Sequence, residues 1–168
     1  LQLGDHLLCN EHFPNNNLSI RAQSQIALVH YYDFLTAYQN LLREEGEWYG
    51  VDVTTTAGNV TFNQWGPVRG QVATVGKRFA SCDVIQLLSY RNATHLDWCD
   101  TNADQGEPDL LENLTVSFAV KQTPKSVWVA SPDVKDGVAI PLEYEYVGGK
   151  ITTTLPALKY WDMIVVEY

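Results

Sequence analysis

Val138-Ala139-Ile140-Pro141-Leu142-Glu143-Tyr144-Glu145-Tyr146-Val147-Gly148-Gly149-Lys150-Ile151-Thr152-Thr153-Thr154-Leu155 is the stretch that decides the fold. Val138, Ile140, Leu142, Tyr144 and Tyr146 alternate with Ala139, Pro141, Glu143 and Glu145, a period of two that turns one set of side chains toward a core and the other toward water. Pro141 has no amide hydrogen to give to a ladder, which predicts an edge strand. Gly148-Gly149 then leads into Lys150–Leu155 as a two-residue hairpin loop, whose central residues need positive φ.

The same period continues on either side. Leu114, Val116, Phe118 and Val120 alternate with Thr115, Ser117, Ala119 and Lys121, predicting another half-buried strand. Val84–Leu88, Val127–Val129 and Ile164–Val166 are apolar without alternation, as central strands covered on both faces would be. With turn residues between them, these segments predict about eight short strands in an antiparallel β-sandwich of Greek-key type.

Residues 1–47 have a different texture. Ser19 to Glu45 contains no Pro or Gly, and Leu28, Tyr31, Leu35, Tyr38 and Leu42 recur at intervals of three and four, which predicts one helix. Ser19 or Ser24 can cap its start, and Gly46 can follow its end. Ile26, Tyr32, Phe34 and Leu41 widen the apolar stripe beyond a single seam. The helix is therefore expected to need a large partner surface that the rest of the chain does not obviously offer. The expected division is 1–47 and 48–168.

Eleven Lys plus Arg against twenty Asp plus Glu give a net charge of −9, a field that repels phosphate backbones and anionic bilayers. No run approaches the ~18 apolar residues of a spanning helix. Nucleic acid and a membrane span are thus excluded as expected partners. The start at Leu1, with Met163 the sole methionine, reads as an excerpt of a longer protein. Cys9, Cys82 and Cys99 cannot all pair with one another; buried free thiols are expected, with one bridge left open.

His6, Cys9 and His12 fall every third residue beside Glu11, so on a helical turn they would converge on one metal. Phe13-Pro14 and Asn15-Asn16-Asn17 favour a loop instead, and a polar loop lining a cleft is the reading taken. Asp100, Asn102 and Asp104 resemble the start of a calcium loop, yet Gln105 and Leu111 stand where Gly and Glu would be needed. An Asx-rich turn is preferred there, with calcium left open. Asp97 with Asp100, and Glu143 with Glu145, make unconvincing acid–base pairs, the latter on the outward face of a strand. Sequons occur at Asn17, Asn59, Asn92 and Asn113. Most of the five Trp and nine Tyr are expected in the core.

Three stretches carry a family resemblance: Gly4-Asp5-His6-Leu7-Leu8-Cys9-Asn10-Glu11-His12-Phe13-Pro14-Asn15, Tyr31-Tyr32-Asp33-Phe34-Leu35-Thr36-Ala37-Tyr38-Gln39-Asn40-Leu41-Leu42-Arg43, and Leu155-Pro156-Ala157-Leu158-Lys159-Tyr160-Trp161-Asp162-Met163-Ile164-Val165. Together they resemble the C-terminal part of glycoside hydrolase family 66, the dextranases and cycloisomaltooligosaccharide glucanotransferases. Leu96–Asn102 resembles a further family stretch, with Cys99 where Arg is expected. The resemblance implies a (β/α)8 catalytic barrel followed by an antiparallel sandwich, the Ser19–Glu45 helix being the last of the barrel. It also implies retaining cleavage or transfer of α-1,6-glucan by an Asp nucleophile and a Glu acid/base on earlier strands. Neither of those motifs is in this chain, so no catalytic residue, metal or cofactor is assigned to it, and the segment alone is expected to be inactive. The loop before the last helix is expected at the rim of the sugar cleft, where Asp5, His6, Glu11 and Asn15 would hydrogen-bond glucose hydroxyls and Phe13 would stack. The implied partners are dextran or isomaltooligosaccharides and the upstream barrel, in a secreted or cell-envelope bacterial protein. Two competing readings remain: a non-catalytic carbohydrate-binding sandwich with an exposed aromatic face, and a structural module whose Trp residues are buried.

Overall fold

The computed structural model describes residues 22–97 and 104–168. Two helices, α1 (Ala22–Ala37) and α2 (Gln39–Arg43), lead into β1 (Glu47–Tyr49), β2 (Val53–Thr55), β3 (Phe62–Gln64), β4 (Val72–Arg78), β5 (Cys82–Ser89) and β6 (Leu111–Ala119). β7 (Ser126–Ala130), a 3-10 turn at Lys135–Gly137, β8 (Ile140–Pro141), β9 (Tyr144–Val147), β10 (Lys150–Leu158) and β11 (Trp161–Glu167) follow. Among the described residues the strands form a seven-stranded sheet in the order β1-β4-β5-β11-β7-β8, with β3 parallel to β4, and a four-stranded sheet in the order β2-β6-β10-β9. The expected β-sandwich is present, with more and shorter strands than the sequence suggested.

The two sheets close on one apolar interior. Val72, Ile85, Leu87, Val127, Val129, Ile164 and Val166 from the larger sheet meet Val53, Leu114, Val116, Phe118, Ile151, Leu155 and Leu158 from the smaller. Burying each such side chain is worth about 1.5–3 kcal/mol. β6 keeps the predicted parity, with Leu114, Val116 and Phe118 inward and the residues between them outward. The β9–β10 hairpin is also as predicted: Val147 pairs with Lys150, and Gly148 and Gly149 take φ of +59° and +81°.

The stretch from Val138 to Val147 is not one strand. Ile140 and Pro141 pair with Val129 and Trp128 at the edge of the larger sheet, as Pro141 required. The Leu142 amide then donates to the Val127 carbonyl at 2.8 Å, and the chain crosses to the smaller sheet as β9. Alternation survives the crossing because Ile140, Leu142, Tyr144 and Tyr146 pack on the same core from both sheets.

The helical region differs more. The predicted single helix breaks at Tyr38, whose φ and ψ are −109° and 20°. Leaving helical geometry lets its hydroxyl donate to the Gly137 carbonyl at 2.8 Å while its ring lies 4.9 Å from Phe34 and 5.7 Å from Trp128. Gly137 is itself constrained, with φ of +77° and only a tight fit for a Cβ, which would sit 3.3 Å from the Phe34 ring. Lys77 closes α2: its buried ammonium donates to the Leu42 carbonyl at 3.3 Å between the rings of Trp48 and Phe79.

α1 and α2 lie on the outer face of the larger sheet. Phe34 is buried there among Cys82, Val84, Ala130, Met163 and Val165, flanked by Tyr38, Leu41, Leu42, Trp128 and Trp161. This corrects the expectation that the helix finds no partner within the chain. It also accounts for the unalternating Val84–Leu88 and Ile164–Val166, which have the sandwich interior on one side and the helix on the other. The stripe is nonetheless only partly covered: Ile26, Val29 and Tyr32 remain 56%, 55% and 46% exposed on other sides of α1.

Candidate functional site

Where α1 meets the turn between β10 and β11, a cleft of about 280 Å³ is lined by Ile26, His30, Tyr31, Asp133, Lys159 and Tyr160 among others. Asp133 organises it. One carboxylate oxygen accepts from the Tyr31 hydroxyl at 2.9 Å, and the other from the backbone amides of Tyr160 at 3.1 Å and Trp161 at 2.9 Å. A carboxylate that accepts three donors fixes their positions as well as its own. Burial, then the Asp133 charge, holds the Tyr31 hydroxyl well above the ordinary tyrosine range, so it acts as a donor and not as a proton source. Trp161 extends the arrangement, its indole donating to Gln86 Oε1 at 2.6 Å and its ring meeting Phe34 edge-on at 4.8 Å. At the rim Lys159 pairs with Glu107, and His30 Nε2 lies 3.5 Å from Asp136. The chemistry of this cleft is positioning: it pins the helix to the β10–β11 turn.

The most perturbed acid lies elsewhere. Along β11, Met163 and Val165 face the helices, whereas Ile164 and Val166 face the sandwich interior, and strand parity places Asp162 with the latter. It is fully buried, and neither carboxylate oxygen has a hydrogen-bond partner among the described residues. Burial raises its pKa to about 7, with the Ser131 hydroxyl offsetting part of the rise and the charge of Asp133 adding a lesser amount to it. The Ser131 proton itself goes to the Trp161 carbonyl at 2.7 Å. Asp162 was not among the sequence candidates, although its in-phase position with Ile164 and Val166 was a readable signal. Sealed from solvent, it cannot meet a substrate.

Of the sequence candidates, Asp5, His6, Glu11, Phe13 and Asn15 lie outside the described residues, as do Cys9, His12, Trp98, Cys99, Asp100 and Asn102. Asp104 is exposed and sits 3.3 Å from His95 Nε2, with Asp97 3.5 Å from the other ring nitrogen. The Thr94 hydroxyl donates to the Asp104 carbonyl at 2.6 Å, and the Gln105 amide to the His95 carbonyl at 2.8 Å. The described part of this loop is thus cross-linked to itself, and no cluster that could hold a metal occurs among the described residues. Glu143 and Glu145 are exposed, as expected. Cys82 is a buried free thiol whose pKa burial pushes up. The aromatic expectation needs correction: Trp128 and Trp161 are only half-buried at the helix seam, and Trp48 and Trp65 are 54% and 46% exposed.

The fold and its seam define a mainly antiparallel β-sandwich that carries a helix on its larger sheet. The sequence model of glycosyl hydrolase family 66 matches residues 1–165, and the chain belongs to that family. It is 28% identical to a cycloisomaltooligosaccharide glucanotransferase of Niallia circulans, over 99% of this chain and 18% of that protein. It is likewise 28% identical to a dextranase of Streptococcus salivarius, over 96% of this chain and 22% of that protein. A crystal structure of a Paenibacillus cycloisomaltooligosaccharide glucanotransferase complexed with cycloisomaltoheptaose superposes with a TM-score of 0.67 at 25% identity, covering 92% of this chain and 23% of that one. The chain therefore spans about a fifth of the length of these relatives.

Proposed function

We propose that the chain is the C-terminal portion of a secreted or cell-envelope bacterial enzyme that hydrolyses or transglycosylates α-1,6-glucan. Residues 48–168 pack on and stabilise a catalytic (β/α)8 barrel, and residues 1–47 supply that barrel's last loop and helix. The observation that carries this reading is the two-sidedness of α1. One side is anchored by Phe34 in the sandwich seam, while Ile26, Val29 and Tyr32 stay in water. A helix with apolar residues on opposing sides calls for a second layer, and a barrel wall is such a layer. The names of the relatives, a dextranase and cyclising glucanotransferases, support the substrate class. On this reading Asp5, His6, Glu11, Phe13 and Asn15 reach the sugar cleft, and the reacting carboxylates lie in the barrel.

The test is release of reducing sugar from dextran. The 168-residue chain alone is expected to give none; release at a rate comparable to an intact family member would refute the reading. In the full-length protein, Ile26→Glu with Tyr32→Glu is expected to lower the melting temperature, whereas in the isolated chain it leaves it unchanged. A second reading, a carbohydrate-binding sandwich, is favoured by the exposure of Trp48 and Trp65.

A further inference from the structure

Trp65, immediately after β3, has φ of +54° and is followed by Gly66 at +57°. Left-handed backbone at a bulky aromatic residue is an outlier that persists only where the surroundings over-determine it. Here they do. Asn63 Nδ2 donates to the carbonyls of Trp65 at 2.8 Å and Gly66 at 3.1 Å, and the Trp65 amide donates to the Thr74 carbonyl at 3.1 Å. The indole is seated too: its Nε1 lies against Gly50, where an added Cβ would come within 2.9 Å of it. Despite this fixing, nearly half of Trp65 remains in water.

Gln64 lies against the same glycine, its Oε1 2.5 Å from the same Cβ position. Its carboxamide is exposed and has no hydrogen-bond partner among the described residues. A rigid aromatic surface beside an unpartnered planar amide suits a pyranose. The apolar C–H face of the ring stacks on the indole, and adjacent hydroxyls exchange hydrogen bonds with the amide. A protein partner would call for a buried surface on the order of 800 Å² with several anchor side chains clustered at its centre, whereas Trp65 is bordered in sequence by the polar Asn63 and Gln64, with Arg69 beyond the turn.

We propose that Trp65 and Gln64 form a glucosyl-binding platform at the edge of the larger sheet, taking one sugar unit of an α-glucan chain. The choice of glucan rests on the α-1,6 reading above; the platform itself rests on the geometry.

The experiment follows the indole N–H signals of the 168-residue chain by NMR during titration with isomaltotriose, maltotriose and cellotriose. Isomaltotriose is expected to shift the Trp65 signal saturably while leaving Trp128 and Trp161 in place. Gln64→Ala, an exposed change that should leave the melting temperature intact, is expected to weaken binding several-fold. Gly50→Ala keeps the indole but displaces it, and should weaken binding about tenfold, the scale of one aromatic stacking contact. Trp65→Ala, which removes the reporting indole, should abolish the heat of isomaltotriose binding in calorimetry. A response to maltotriose or cellotriose but not to isomaltotriose would support the platform and count against the α-1,6 reading. No saturable shift of Trp65 with any of the three, or undiminished binding in both Gln64→Ala and Gly50→Ala, overturns the platform and leaves the α-1,6 reading to the reducing-sugar assay.

Discussion

Replacing Asp162 by Asn should make the protein more stable in alkali and no more stable in acid. The carboxyl is fully buried without a hydrogen-bond partner among the described residues, and its pKa stands at about 7 against an ordinary value of 3.8. Three pKa units correspond to about 4 kcal/mol at about 1.4 kcal/mol per unit. Because the folded-state value is raised, the unfolded chain gives up this proton first. The stabilising contribution of the neutral acid is therefore complete below pH about 4, declines as pH rises toward about 7, and is lost above that. Asn has nearly the same shape and no charge to bury, and its unpaired amide replaces a neutral carboxyl that is equally unpaired, so this cost nearly cancels between the two proteins. At about pH 4 they should be about equally stable, and above about pH 8 the variant should be more stable by up to about 4 kcal/mol. Urea denaturation of both proteins across this range, with stability differences plotted against pH, isolates the effect from the other carboxylates. A difference that does not change with pH would refute the reasoning, since it would mean that Asp162 is charged in the fold or reached by water.

Phe34→Ala removes the one fully covered side chain of α1 and should cost about 3–5 kcal/mol, read as a fall in denaturation midpoint with loss of amide protection in the helix. Asp133→Ala strips three hydrogen bonds from the Tyr31 hydroxyl and the β10–β11 turn; a loss of about 2–4 kcal/mol and faster exchange at the Tyr160 and Trp161 amides are expected. Gly137→Ala adds a Cβ at φ of +77° facing the Phe34 ring and should destabilise by about 1–3 kcal/mol by thermal melting. Cys82 should resist alkylation by a thiol reagent in the native protein and react on unfolding, because its thiol is buried and its pKa raised.

The hairpin at Gly148-Gly149 and the parity of β6 were legible in the sequence because both are local: turn chemistry and a period of two need no knowledge of the rest of the molecule. The crossing at Leu142 was hidden by that same period, since a strand that changes sheets across one core keeps its inward residues in phase. The covered outer face of the larger sheet was half legible. Val84–Leu88 and Ile164–Val166 announced cover on two sides, but nothing in them names what covers them, and Phe34 stood in the sequence as one apolar residue among many. The break at Tyr38 depends on a hydrogen bond to Gly137, 99 positions away, which no local propensity encodes. The candidate sugar contacts at Asp5, His6, Glu11, Phe13 and Asn15 came from the family resemblance and fall outside the described residues; the seam at Asp133 joins residues 102 positions apart and was not legible, whereas the burial of Asp162 could have been read from its phase with Ile164 and Val166.

The position of β11 sets a schedule for assembly. The last strand in sequence lies in the middle of the larger sheet, between β5 and β7, and its Met163 and Val165 complete the pocket that receives Phe34. The helix is synthesised before its seat. Until Trp161–Glu167 has emerged, β5 and β7 have no neighbour to join them, and Phe34 has no closed cavity to enter. Order should therefore arrive in one late, cooperative step, since contacts this distant in sequence form slowly. A chain shortened by a few residues at this strand would lose the centre of its sheet, where a similar trim at an edge would lose only a border.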